Sequence, residues 1–160
     1  PKSVFEKRAT EAENEFEALF KRDSAADADH PHALLAELRM AMASGAGPRR
    51  DADGLIDLVE RLGELERRVG RATVRGTNVG WNQDALLLAS LPDSVALARC
   101  IASAALAREE SRGAHVRSDF TATRDTLAKP SWFKSGAGPD PEPLESFEYE
   151  CAGESVSIAR

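Results

Sequence analysis

Arg108, Glu109, Glu110, Ser111, Arg112, His115, Arg117 and Asp119 crowd the end of an alanine-rich run and surround one glycine, Gly113. Their types allow three kinds of chemistry. Guanidinium groups present planar forks of donors that match a carboxylate or a pair of backbone carbonyls, so Arg108, Arg112 and Arg117 could fix the orientation of another surface. The same cations, with His115, could instead stabilise a helix C-terminus, whose last carbonyls carry partial negative charge, while Gly113 takes a left-handed backbone and Glu109 and Glu110 pair with the arginines. These two readings stand side by side. General-base catalysis by His115 is the third, but no partner that would activate it is identifiable nearby in sequence.

Other chemistry-bearing residues are sparse. His30 and His32 could touch a metal at a helix start, yet no acidic or cysteine ligand sits at a supporting spacing, and a solvated helix entry is the plainer reading. Cys100 falls in the apolar register of a helix and reads as a small buried side chain; Cys151 lies far from it, with no C-x-x-C pair. Gly76 and Gly80 follow a helical pattern rather than a strand, so they do not make a dinucleotide fingerprint. No Walker loop, H-E-x-x-H or G-x-S-x-G motif is present. Neither a cofactor nor a metal is therefore assigned to residues of this chain.

The elements that must position the cluster are mostly helical. Ser3 and Glu6 have capping-box spacing, and Phe5, Ala9, Ala12, Phe16, Leu19 and Phe20 follow at helical intervals, predicting a helix over 3–21. Asp29 is placed to cap a second helix, with His30 and Pro31 in its first turn and Leu34, Leu35, Leu38 and Met42 along it; Ser44 to Pro48 ends it. The third helix has the strongest periodicity, through Leu55, Leu58, Val59, Leu62, Leu65 and Val69, with Asp57, Glu60, Glu64 and Arg67 opposite and Gly70 placed to close it. An ordered connector containing Trp81 and Asn82 follows. Leu86 to Leu88 open an apolar segment expected to stop at Pro92, after which Asp93 or Ser94 caps a long helix to about Ser111. Its alanines imply close helix approach.

Beyond Asp119 the pattern becomes loop-rich, with Trp132 and Phe133 ahead of a Gly/Pro stretch and a hairpin signal over 146–151 and 154–158. The expectation is a mainly α fold: an antiparallel bundle of three to four main helices over 1–120, then an extended tail with a small β element over 121–160.

The 160 residues allow one modest domain, and the net charge of -6 disfavours nucleic acid or an anionic membrane surface as partner. No uninterrupted run of about eighteen apolar residues stands out as a membrane span. A reducing, cytoplasmic setting fits two distant cysteines. A chain that opens at Pro1 rather than Met is expected to be a piece of something longer.

The run from Leu106 to Phe120 resembles the A-R-x-E-S-R-G-A-H-x-R-x-D-[FY] signature in the C-terminal part of succinate dehydrogenase and fumarate reductase flavoprotein subunits, with L-aspartate oxidase a close relative. Ser3 to Lys7, Leu35 to Met42 (an L-R-x-x-M helix), Gly80 to Leu86 (a W-N-x-D-L connector), Trp132 to Lys134 and Phe147 to Tyr149 resemble other parts of that family. The run from Phe120 to Pro130 departs from it, being less acidic than the family's usual loop.

The resemblance implies a helical domain of a FAD-dependent enzyme that interconverts succinate and fumarate. It further implies packing beside FAD-binding and capping domains of the same parent chain and against an iron-sulfur subunit, with membrane association only through partner subunits. It makes Arg108, Glu109, Ser111, Arg112, His115, Arg117, Asp119, Trp81 and Asn82 candidate interdomain or subunit contacts, and no catalytic, cofactor-binding or metal residue is carried over. By itself the chain is expected to be colourless and inactive, and the alternative is a stand-alone helical interaction module. Uncovered apolar faces, on the first helix at Phe5, Phe16 and Phe20 and on the alanines of the last, leave homodimerisation open.

Overall fold

The computed structural model describes residues 2–22, 28–76, 78, 80–128, 132–134, 142–144, 146–151 and 154–159. Among the described residues four α-helices carry the fold: α1 (Lys2–Phe20), α2 (Pro31–Gly45), α3 (Ala52–Arg71) and α4 (Gln83–Ala107). The described strands that accompany them are β1 (Arg49–Arg50), β2 (Val116–Arg117), β3 (Trp132–Lys134), β4 (Glu142–Leu144), β5 (Ser146–Cys151) and β6 (Glu154–Ala159). The expected mainly helical architecture with a small β element is present. Two compact units divide the chain, the first from residues 1–39 and 64–95, the second from residues 40–63 and 96–160.

In the first unit the buried apolar residues are Leu19, Leu34, Leu38, Leu65, Val69, Ala72, Ala85, Leu88, Leu91 and Val95. Leu19 is the one residue of the α1 apolar series that is buried; Phe16 and Phe20 are half-buried and meet edge to face at 5.6 Å, and Phe5 is exposed. Ser3 and Glu6 both fall inside α1, which starts at Lys2, so they do not bracket its entry. Arg22 takes over the end of α3, where its Nη1 donates to the carbonyls of Ala72 (3.0 Å) and Val69 (3.4 Å). That is how an exposed last turn finds its missing donors.

Asp29 does not cap α2. Both its carboxylate oxygens accept from Arg68 at 2.8 Å, and Arg68 also donates to Glu37 at 2.7 Å. His30 stands at the helix entry instead, its Nδ1 accepting the His32 N–H at 3.3 Å and its carbonyl accepting from Ala33 and Leu34. Pro31, at the first helical position, loses no bond because that amide has no helical acceptor.

Helix α4 departs furthest from expectation, running unbroken through Pro92. Asn82 caps it, accepting the Ala85 N–H on Oδ1 at 3.0 Å. The hydroxyls of Ser90 and Ser94 bond back to Leu87 and Ser90 carbonyls and so do not open a new helix. A proline here forfeits one backbone bond, and its ring lies on the exposed side. The buried residues Ala85, Leu88, Leu91, Val95, Ala98, Ala102 and Ala105 continue the same stripe on both sides of it.

By length and composition α4 is also apolar enough to cross a bilayer, which a search for an uninterrupted apolar run overlooks. Its one-sided burial at three- and four-residue steps is what a core helix shows. The alanine face expected to be open to a partner is buried inside the chain, whereas Leu86, Leu97 and Ile101 are exposed. Cys100 is half-buried rather than a core residue.

In the second unit Ala41, Leu55, Leu58, Leu62, Ala98, Ala102 and Ala105 are buried together with Arg99, Glu110 and Arg117. Strand β1 pairs in parallel with β2, matching Arg49 to Val116 and Arg50 to Arg117. The tail forms two antiparallel pairs, β3 with β4 and β5 with β6, the second in the register Phe147 to Ile158 and Tyr149 to Val156. The hairpin signal over 146–151 and 154–158 is therefore met by paired strands.

Gly45 ends α2 where there is no room for a side chain. A Cβ built on it would lie 2.9 Å from Leu58 Cβ and 3.1 Å from Leu58 Cδ2. Gly45→Ala is expected to lower stability by about 1–3 kcal/mol through overpacking. Urea unfolding of the variant checks this, and an unchanged midpoint would show that Leu58 gives way freely.

Candidate functional site

The signature residues fold into a compact turn beyond α4, all within the second unit. The helix ends at Ala107, earlier than the expected Ser111. Gly113 is not its terminator. It sits with φ of +59° in a tight turn closed by Arg112 N–H to His115 carbonyl (2.8 Å) and His115 N–H to Arg112 carbonyl (3.0 Å). That left-handed conformation is the one glycine supplies without steric cost. The turn sends the chain back along the helix end, and Val116 N–H then donates to Pro48 carbonyl and Ser118 N–H to Arg50 carbonyl.

Arg117 is the centre of this fold-back, with 1% of its side chain exposed. Its Nε and Nη2 grip Asp119 bidentately at 2.7 and 2.6 Å, while Nη1 donates to the Ala105 and Leu106 carbonyls at 3.0 Å. The Phe120 ring lies 4.9 Å from the guanidinium carbon. Arg117 therefore closes α4 from downstream, filling acceptors that a helix end would otherwise leave open. Asp119 also accepts the Ala52 N–H at 2.9 Å, at the first residue of α3. With Arg117 beside it, its carboxyl titrates well below the usual carboxylate range.

Glu110 is the second hub, its side chain fully enclosed. Oε1 accepts from Arg108 (2.8 Å) and Arg112 (3.0 Å), and Oε2 from Arg112 (3.2 Å) and the Arg124 N–H (2.8 Å). These bonds, Arg112 first, hold its carboxyl down to about 2. Arg108 also donates to Leu127 carbonyl at 2.7 Å and Arg112 to Arg124 carbonyl at 3.2 Å. Ser111 ties the loop together. Its hydroxyl bonds the carbonyls of Phe120 (2.8 Å) and Arg117 (3.2 Å), and its oxygen accepts the Arg117 N–H at 2.8 Å. Glu109 is exposed and pairs with Arg124 at 3.1 Å.

His115 is half-buried, with Nε2 3.2 Å from the Arg108 carbonyl, which places the ring proton on that nitrogen. Burial, then the charges of Arg50, Arg117 and Arg108, push its pKa below the ordinary imidazole value despite that bond. No carboxylate is among its described hydrogen-bond partners.

Trp81 and Asn82 lie in the first unit, apart from this cluster in the chain. Asn82 serves as the α4 cap, with Nδ2 donating to Asn78 and Arg75 carbonyls. Trp81 is 99% exposed and adopts a left-handed backbone, φ +61°, rare and costly for a bulky residue. Helix α4 also brings Asp84 between the two histidines, 3.4 Å from His30 Nε2 and 3.5 Å from His32 Nε2. The acidic neighbour missing from the local sequence thus comes from a distant helix, within ion-pair distance of both rings. No group of three or more metal-ligating side chains arises among the described residues. Sequence reasoning missed Arg50 and Arg124, whose only local signal is an Arg pair ahead of α3 and a lone Arg in the departing loop.

Comparison with known proteins places this arrangement. Residues 35–150 match the family model described as fumarate reductase flavoprotein C-term. L-aspartate oxidase of Caulobacter vibrioides is 46% identical over 95 residues, covering 59% of this chain and 15% of that protein. The fumarate reductase flavoprotein subunit of Escherichia coli is 36% identical over 83 residues, covering 52% and 14% respectively. The succinate dehydrogenase flavoprotein subunit of Bacillus subtilis is 26% identical over 156 residues, covering 98% of this chain and 25% of that protein.

Among solved structures, the Sdh1 complex of Mycobacterium smegmatis in its apo form superposes with a TM-score of 0.74 at 26% identity, covering 97% of this chain and 24% of that one. A mutant E. coli quinol fumarate reductase superposes at 0.71 with 25% identity, over 99% and 25%. The chain spans a quarter or less of the length of these relatives. With the family model covering most of its length and the signature turn built as described, the chain belongs to the fumarate reductase flavoprotein C-terminal family.

Proposed function

We propose that this chain is the C-terminal helical part of a FAD-dependent oxidoreductase subunit that interconverts succinate and fumarate and works with an iron-sulfur partner. The match of residues 35–150 to the family carries the reading. The flavin, bound in the parent, supplies the two-electron chemistry. The described residues of this chain do not fit it. The signature arginines Arg108, Arg112 and Arg117 are each matched by a carboxylate, and Gly76, with φ of +86°, follows a helix rather than a strand. The role left to this chain is to present a surface to the flavin and capping domains or to the iron-sulfur subunit. Trp81 supports that role by being wholly exposed on a strained backbone, and Glu109 and Arg112 by remaining at least partly open to solvent. Membrane association would come through partner subunits.

The 46% identity to L-aspartate oxidase favours a second reading, the equivalent domain of an amino-acid oxidase. Purifying the whole gene product and adding succinate or L-aspartate without oxygen separates them. The expected result is a yellow protein whose flavin is bleached by succinate and reoxidised by fumarate. Bleaching by L-aspartate alone would select the second reading, and a full-length product without flavin would overturn both in favour of an assembly module.

A further inference from the structure

Arg108, Arg112, Arg117 and Arg124, around the signature turn, each reach a carboxylate, and among the described residues Arg50 does not. Arg108 and Arg112 share Glu110, Arg117 holds Asp119, and Arg124 holds Glu109. Arg50, on β1 opposite Arg117 in register, forms no ion pair among the described residues. Its Nε is buried without a hydrogen-bond partner, and its Nη2 reaches the Ala114 carbonyl only at 3.5 Å, the outer limit of a hydrogen bond. Burial and the charge of Arg117 both work against its protonated form. His115 shares this corner, with Nε2 taken by the Arg108 carbonyl, Nδ1 without a hydrogen-bond partner among the described residues, and cations Arg50, Arg117 and Arg108 around it.

A half-buried cation lacking a counter-charge is costly in a folded chain, and an arriving anion would recover that cost. A guanidinium matches the two oxygens of a carboxylate in plane. A single half-buried guanidinium, with Asp51 and Glu109 close enough to act on neighbouring Arg117, suits a singly charged group rather than a phosphate dianion. We propose that Arg50, with His115 beside it, receives one external carboxylate at the corner between β1 and the Arg112–His115 turn. The group is either an acidic side chain of an adjoining domain or subunit or a free carboxylic acid. The inference does not depend on the flavoprotein reading, since it rests on the charge arrangement alone.

The test is a titration of this chain with sodium acetate and sodium succinate, with chloride holding ionic strength constant. His115 ring resonances and the Arg50 Nε–H signal are followed by NMR. Both should shift saturably, and the His115 titration midpoint should rise by about half a unit or more, because a bound anion favours the charged imidazole. Arg50→Gln should abolish the response. Similar affinities for the two acids, within about threefold, would identify a single carboxylate such as a protein side chain presents, whereas succinate binding about tenfold tighter would identify a small diacid. No saturable response in the unaltered chain overturns the proposal whether or not the variant folds, and so does a response undiminished in folded Arg50→Gln.

Discussion

Replacing Arg117 by alanine is expected to destabilise the chain by about 3 kcal/mol, lowering its melting temperature by roughly 6–12 °C. The side chain is 1% exposed and has no solvent route to replace what it does. Its removal leaves the carbonyls of Ala105 and Leu106 without their donor and Asp119 without its bidentate partner. Asp119 is partly exposed and can recover some hydration, which holds the estimate at the lower end for a broken buried pair. Arg117→Lys should be nearly as damaging, since a single ammonium cannot reach a carboxylate side-on and two carbonyls together. Urea denaturation at neutral pH measures both. A loss below about 1 kcal/mol for Arg117→Ala would show that the helix end closes without it, and would return the residue to a docking role.

Acid should lower the stability of the chain over two pH ranges, and Glu110→Gln should remove part of the loss in the second. Glu110 titrates near 4.5 when unfolded and at about 2 when folded. A depressed carboxylate contributes stability that is complete above the unfolded value and lost as pH falls toward the folded one. Asp119 and Asp29, held down by Arg117 and Arg68, act in the same direction over the acid range. His115 has the same sign through a different cause. Its folded pKa lies below the ordinary 6.5, so the unfolded chain takes up a proton first and stability begins to fall as pH drops past that point. Unfolding midpoints measured across a pH series should therefore slope gently below about 6.5 and more steeply below about 4.5. In Glu110→Gln the steep part should correspond to about one proton fewer taken up on unfolding. An identical slope in the variant would mean that Glu110 is not held ionised by Arg112, Arg108 and the Arg124 amide.

The helices were legible because burial demands a repeating stripe. Leu55, Leu58, Leu62, Leu65 and Val69 recur at the helical step, and each is buried in α3. Local punctuation was less reliable. Pro92 predicts a break because a proline removes one bond, yet the stripe on either side outweighs that loss and α4 continues. Caps failed where a better partner lay far off. Asp29 could bond the α2 amides, but Arg68 offers it a bidentate charged pair from α3. The density of the signature run was visible, and its fold-back was not, since nothing local says that residue 117 returns to the carbonyls of residues 105 and 106. The short spacing from Ser111 through Gly113 to Asp119 holds the turn and the ion pair, and those are readable in hindsight as one unit.

The two helix ends joined at Asp119 differ in what they need from the growing polypeptide. At the start of α3, Asp51 already supplies a local cap to the Gly54 N–H at 2.9 Å, so that end can form as soon as its own residues leave the ribosome. The close of α4 depends on Arg117, and the Ala52 amide waits for a carboxylate 67 residues downstream. The bonds that close α4 and reach the Ala52 amide thus form only after the signature turn has left the ribosome and folded back, and one ion pair secures the two helix ends together.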